Sequence, residues 1–124
     1  MQGSSPQKLL LAMFDRLGRD LRTSIEAIGA NNIELAHKAL VNAQELVFEL
    51  NCALEPDVWP AAQELRSVYE HLLDLLVQAN TSKSIDLIER AAAIVTPLAE
   101  SWTEAHRSLE EKKVATAPSS GRGY

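Results

Sequence analysis

Apolar residues recur every three or four positions along four stretches of the chain, and that period predicts four amphipathic helices. The first runs from about Pro6 to Ile28, with Leu10, Phe14, Leu17, Leu21, Ile25 and Ile28 on one stripe. Ser5 suits its N-cap. Pro6 suits its first turn, because the N–H that proline lacks would be unpaired there anyway. Gly18 sits inside the stripe at about 1 kcal/mol against alanine; it either permits close helix approach or is simply tolerated. Gly29 is expected to close the helix, with Asn31-Asn32 supplying the turn and the next cap. The second pattern covers about Ile33 to Leu54, where small residues at Ala36, Ala39 and Ala43 point to close packing. Glu55-Pro56 is expected to end it.

The third pattern runs from about Val58 to Ala79, with Asp57 as cap and Pro60 in its first turn. Leu65, Val68, Tyr69, Leu72, Leu75 and Leu76 mark its buried side. A break at Asn80–Lys83, capped by Ser82 or Ser84, leads to a fourth pattern from about Ser84 to Glu111. There Ile88, Ala92, Val95, Ala99, Trp102, His106 and Leu109 alternate in steps of four and three, the seam spacing of an antiparallel bundle. Pro97 lies inside this pattern and predicts a kink, since its ring clashes with the carbonyl of Ala93.

These elements assemble into an all-α fold, an antiparallel up-down-up-down four-helix bundle over residues 6–111, with a short flexible N-terminus at 1–5 and a flexible tail at 112–124. A rival arrangement is a pair of hairpins that dimerise into a larger bundle. Composition favours helices in either case. Leu and Ala together supply 35 residues against 13 for Val and Ile, so strong helix formers outweigh β-branched ones.

Charge and chemistry narrow the function. The formal net charge is -5, with no basic patch for nucleic-acid phosphates. Glutamates such as Glu26, Glu45 and Glu89 populate the polar faces, where a membrane-surface helix would carry Lys and Arg. The apolar run Leu9–Phe14 is too short to span a bilayer, so no stable membrane insertion is expected. A single cysteine, Cys52, and no recognisable signal sequence agree with a cytoplasmic protein. No catalytic constellation emerges. His37, His71 and His106 fall one to each of three helices without metal-ligand spacing, no glycine-rich phosphate loop is present, and no carboxylate pair stands out. Neither a metal nor a cofactor is expected.

What remains is binding. The arcs of apolar residues are wider than one bundle seam needs: Leu9, Leu11 and Met13 flank the first stripe, and Leu73, Val77, Leu87 and Ile94 flank the third and fourth. Such arcs either cover ordinary boundary positions or form a groove for a partner helix.

The order of residues resembles the flagellar secretion chaperone (FliS) family. The opening Ser5-Pro6-Gln-Lys-Leu-Leu-Leu-Ala-Met13-Phe14-Asp15 is similar to that family's Ser-Pro, leucine run and Met-Leu-Tyr-Asp-Gly, with Phe14 at the tyrosine and Arg16 at the glycine. Ala43-Gln44-Glu45-Leu46, Val68-Tyr69, Ala79-Asn80 and Ser101-Trp102-Thr-Glu-Ala105 continue the likeness to about residue 109. The resemblance implies a cytoplasmic four-helix chaperone that binds the C-terminal segment of flagellin. It would prevent premature polymerisation and deliver the subunit to a component of the export gate. A flagellin-binding regulator is a further candidate partner. The family's longer N-terminal stretch, with a Tyr near its start, can fold back over the groove; only five residues precede Pro6 here, so self-capping is either missing or done differently.

For the groove, Leu40, Val47, Leu73, Val77 and Ile88 are the candidate contacts. Phe14, Leu17 and Leu21 are expected in the core more than on the client. Asp15 either hydrogen-bonds across to a neighbouring helix or stands as a solvated acid, while Tyr69 and Trp102 are structural first. The alternative function is a helical adaptor or regulator of a different amphipathic partner; a bundle enzyme or metal protein is the third. Elemental analysis of protein purified without chelator separates the third from the others, and the expected result is no stoichiometric metal.

Overall fold

The computed structural model describes the backbone of residues 6–54 and 61–122 and the side chains of residues 7–54 and 63–112. Four helices follow one another: α1 (Pro6–Gly29), α2 (Ile33–Cys52), α3 (Ala61–Ser82) and α4 (Ile85–Arg122). Among the described residues there is no strand. Packing joins α1 to α2 and α4, and α3 to α2 and α4, while neither diagonal pair approaches. Sequential neighbours around a square make the up-down-up-down bundle. The expected stop at Glu55-Pro56, the cap Asp57, the start at Val58, and Ser5 and Pro60 all lie outside the described residues.

Two corners of the bundle use the same turn. After α1, Asn32 N–H donates to the Ala27 carbonyl at 2.7 Å and Asn31 N–H to the Ile28 carbonyl at 3.0 Å. Asn31 takes the left-handed conformation (φ 59°). This is a Schellman ending, and asparagine occupies the position where glycine is commonest. Gly29, expected to close the helix, is instead its last helical residue. Asn32 then caps α2, its side-chain oxygen accepting from Leu35 N–H at 3.2 Å. After α3 the pattern repeats. Lys83 is left-handed (φ 50°), Ser84 N–H donates to the Ala79 carbonyl at 3.1 Å, and Ser84 Oγ accepts from Leu87 N–H at 3.2 Å. Of the two candidate caps, Ser84 takes the role. Asn80, Thr81 and Ser82 stay helical, so α3 runs a turn longer than its apolar pattern.

Inside, one dry core runs along the bundle. Phe14, Leu17 and Leu21 from α1 meet Leu40, Leu46, Val47 and Leu50 from α2, Tyr69, Leu72 and Leu76 from α3, and Ile88, Ala91 and Val95 from α4. Near the α1–α2 corner both helices present small buried residues, Ser24 and Ala27 on one and Ala36 and Ala39 on the other. The Ser24 hydroxyl donates to the Leu21 carbonyl at 2.7 Å, which satisfies a buried polar group within its own helix.

α4 is 38 residues long against 20 to 24 for the others, about 57 Å at the helical rise. It continues through Pro97 without interruption. Pro97 and Ala93 are both exposed, so water can take the carbonyl that proline leaves without a donor. Its backbone also stays helical to Arg122, past the expected end at Glu111. That last stretch carries Pro118, Ser119, Ser120 and Gly121, which are weak helix formers, and the seam's period passes from Leu109 onto Lys113, Thr116 and Ser120, so composition and pattern both predict an earlier end.

Two tests follow from this packing. A Cβ added at Gly18 would meet only the Arg22 side chain, at 3.7 Å, an ordinary contact. The glycine is therefore tolerated rather than required, and Gly18→Ala is expected to stabilise the protein by about 0.5–1 kcal/mol in urea denaturation. Burial pushes the Tyr69 phenol up to about 12. The unfolded chain releases that proton near 10. Because the folded value is the higher one, the stability linked to Tyr69 is intact below roughly pH 10 and falls as pH rises toward about 12. Urea denaturation across that window should show the fall, and Tyr69→Phe should reduce it.

Candidate functional site

The apolar arcs that exceed the core come to the surface on both flanks of α3. On the flank facing α4, Leu65 and Val68 lie opposite Leu98, Trp102 and Ala105, with Glu64 at the rim, around an open groove of about 460 Å³. It begins where the core runs out. Tyr69 and Val95 are fully packed, whereas Leu65 and Leu98, one turn further along, and Trp102, two turns along, are only partly covered. The helical period carries the stripes past the last closed layer, and the groove is that excess.

On the flank facing α2, Phe48 stands 59% exposed beside Gln44 and Leu73 in a second groove of about 370 Å³. Val77, 49% exposed, follows Leu73 by one turn on the same face of α3. Further along, the Asn80 amide nitrogen donates to His37 Nδ1 at 3.0 Å and ties the two helices together. Glu45 and Glu49 line the α2 side of this groove. A third, smaller crevice of about 250 Å³ lies between α1 and α4, and charge enters its walls through Asp15, Arg22 and Glu100.

The sequence-based candidates divide between these places. Leu40, Val47 and Ile88, expected to line a groove, have no solvent exposure and belong to the core. Their stripes are inward ones, and the neighbouring helices consume them entirely. Leu73 and Val77 do reach the surface. Phe14, Leu17, Leu21 and Tyr69 are core residues, while Trp102 packs on the core with one side and lines the α3–α4 groove with the other. Asp15 makes no bond across to another helix among the described residues. It pairs with Arg19 one turn away at 3.0 Å, both side chains well exposed, a contact of small energetic value.

The pattern reading missed Phe48, Leu98 and Ala105. Phe48 carries a usable signal, since an aromatic one position beyond the inward Val47 has no place in the core stripe. The resolved carboxylate shift is at Asp20, where burial raises its pKa against the opposing pull of Arg16 and Arg19. Among the described residues no group of three or more His, Cys, Asp or Glu could hold a metal, and no helix is long and apolar enough to cross a membrane. The sole cysteine, Cys52, is exposed at the end of α2.

Comparison with known proteins agrees with this architecture. The family model described as Flagellar protein FliS matches residues 1–109. The Flagellar secretion chaperone FliS of Bacillus subtilis (strain 168) is 25% identical over 105 residues, covering 85% of this chain and 78% of the relative. A match over residues 1–109, with four helices in the expected order, places the chain among chaperones. The chain therefore belongs to the FliS family of flagellar chaperones.

Proposed function

We propose that this chain is a cytoplasmic export chaperone that binds the C-terminal segment of flagellin, prevents its premature polymerisation and delivers it to the export apparatus. The observation that carries this reading is the open α3–α4 groove. Its walls are mostly carbon, it continues two core stripes, and it lies on a bundle whose core is already closed without it. An amphipathic helix laid there adds its apolar face to stripes that otherwise end in water.

The energetics suit a client that must later be released. Burial of apolar area contributes roughly 25 cal/mol per Å². Ordering a disordered segment opposes it by roughly 1–2 kcal/mol of backbone entropy per residue. A long interface therefore leaves a moderate net affinity. The name of the Bacillus subtilis relative, a flagellar secretion chaperone, supports the same role. Release at an export-gate component, or competition with a flagellin-binding regulator, completes the proposed cycle.

Titration calorimetry with a flagellin C-terminal peptide should give micromolar or tighter binding, and the peptide should gain helicity by circular dichroism. Ala105 is exposed at the groove. Ala105→Arg should therefore block the site, weakening binding by about tenfold or more (about 1.4 kcal/mol) while leaving thermal stability unchanged. Absence of binding by the unaltered protein would end this reading. Full affinity in the arginine variant would move the client elsewhere on the bundle.

A further inference from the structure

The α2–α3 groove differs from the first in charge. α2 and α3 carry two cations, Lys38 and Arg66, against six carboxylates at Glu34, Glu45, Glu49, Glu64, Glu70 and Asp74. Four of these carboxylates flank the Phe48–Leu73–Val77 strip. Glu45 and Glu49 line the groove beside Phe48. On α3, Glu70 and Asp74 sit three residues before and one after Leu73, which turns them toward the outer face. All four are exposed, and none forms an ion pair among the described residues. On α1 and α4, Asp15, Asp86 and Glu104 are each paired with an arginine on their own helix, while Glu26, Glu89 and Glu100 are unpaired but stand apart from an exposed aromatic. The nearer cation, Arg66, lies one turn before Glu70 on the same face of α3 and forms no ion pair with it.

An exposed aromatic and an exposed valine between two unpaired acidic rims form a surface with one evident complement. We infer that the α2–α3 groove is a second docking site, separate from the α3–α4 groove, for an amphipathic helix whose apolar stripe is flanked by Lys and Arg. The apolar strip supplies the contact area, with Phe48 as its anchor. The acidic rims select the charge of the partner and speed its encounter, and they disfavour a helix flanked by acids. The His37–Asn80 bridge marks one end of the groove. Opposite flanks of α3 serve the two sites, so both can be filled at once, and this second site stands whether or not flagellin is the client of the first.

Three synthetic peptides test this on the full chain. The first forms an amphipathic helix of about 18 residues with a leucine stripe and lysine flanks, long enough to span the groove. The second replaces the lysines with glutamates. The third is a scramble of the first. Fluorescence anisotropy should show the first binding at least about tenfold tighter than the other two. Phe48→Ala should weaken it by about tenfold or more. The doubly neutralised Glu45→Gln, Asp74→Asn protein should lose affinity at low salt and little at high salt. Ala105→Arg should leave this peptide's affinity unchanged. Phe48, Glu45 and Asp74 are exposed, so these variants should keep the parent's helicity and melting temperature. Equal binding of the lysine and glutamate peptides, equal binding of the scramble, or an undiminished Phe48→Ala protein would overturn the inference. So would loss of binding in Ala105→Arg, which would assign the peptide to the other groove.

Discussion

The bundle depends on the closure of four inward stripes into one anhydrous core. Each stripe alone is an apolar face that would expose its helix to association, and most helical stability in a protein comes from packing such faces together. Phe14, Leu17, Leu40, Val47, Tyr69, Leu76 and Ile88 come from all four helices, and all are buried together. Because this core closes on itself, the protein needs no client to fold. Apolar surface that remains outside it is then available for binding rather than left over from incomplete packing.

The corners keep that closure in register. At both described corners a left-handed residue ends one helix, and the next residue caps the following one. Asn31 and Asn32 do this between α1 and α2, and Lys83 and Ser84 do it between α3 and α4. Sharing the turn between a helix end and a helix start leaves few unpaired backbone groups and fixes how the two helices face each other. The His37–Asn80 bridge joins these two hairpins at the same end of the bundle. At the opposite end the core thins into the α3–α4 groove.

A chaperone has to be stable without its client and still offer the client somewhere to fold. α3 meets both demands through the width of its apolar arc. Its centre supplies Leu72, Leu76 and Ala79 to the core, and its two shoulders, Val68 on one side and Leu73 with Val77 on the other, line separate grooves. The shoulders differ in their surroundings. One groove is bordered mostly by carbon, and the other by unpaired carboxylates, so a single helix presents two chemically distinct surfaces.

The sequence by itself determined the four helices, their order and most of the core, because a period of three to four apolar positions has one low-energy outcome when the intervening residues are strong helix formers. It also carried the family resemblance through Ser5-Pro6, Phe14-Asp15, Tyr69 and Trp102. Only the tertiary structure decided which apolar positions remain exposed. Phe48, Leu73 and Val77 lie beside the inward stripes in the pattern itself, but that Leu40, Val47 and Ile88 are wholly consumed depends on how far the adjacent helices cover them. It also decided that Gly29 is still helical and that, within the expected Asn31-Asn32 turn, Asn31 takes the left-handed conformation, because the backbone bonds to Ala27 and Ile28 select that position. Periodicity fixes the direction of a side chain from its own helix axis; what that side chain meets is set by helices distant in the chain.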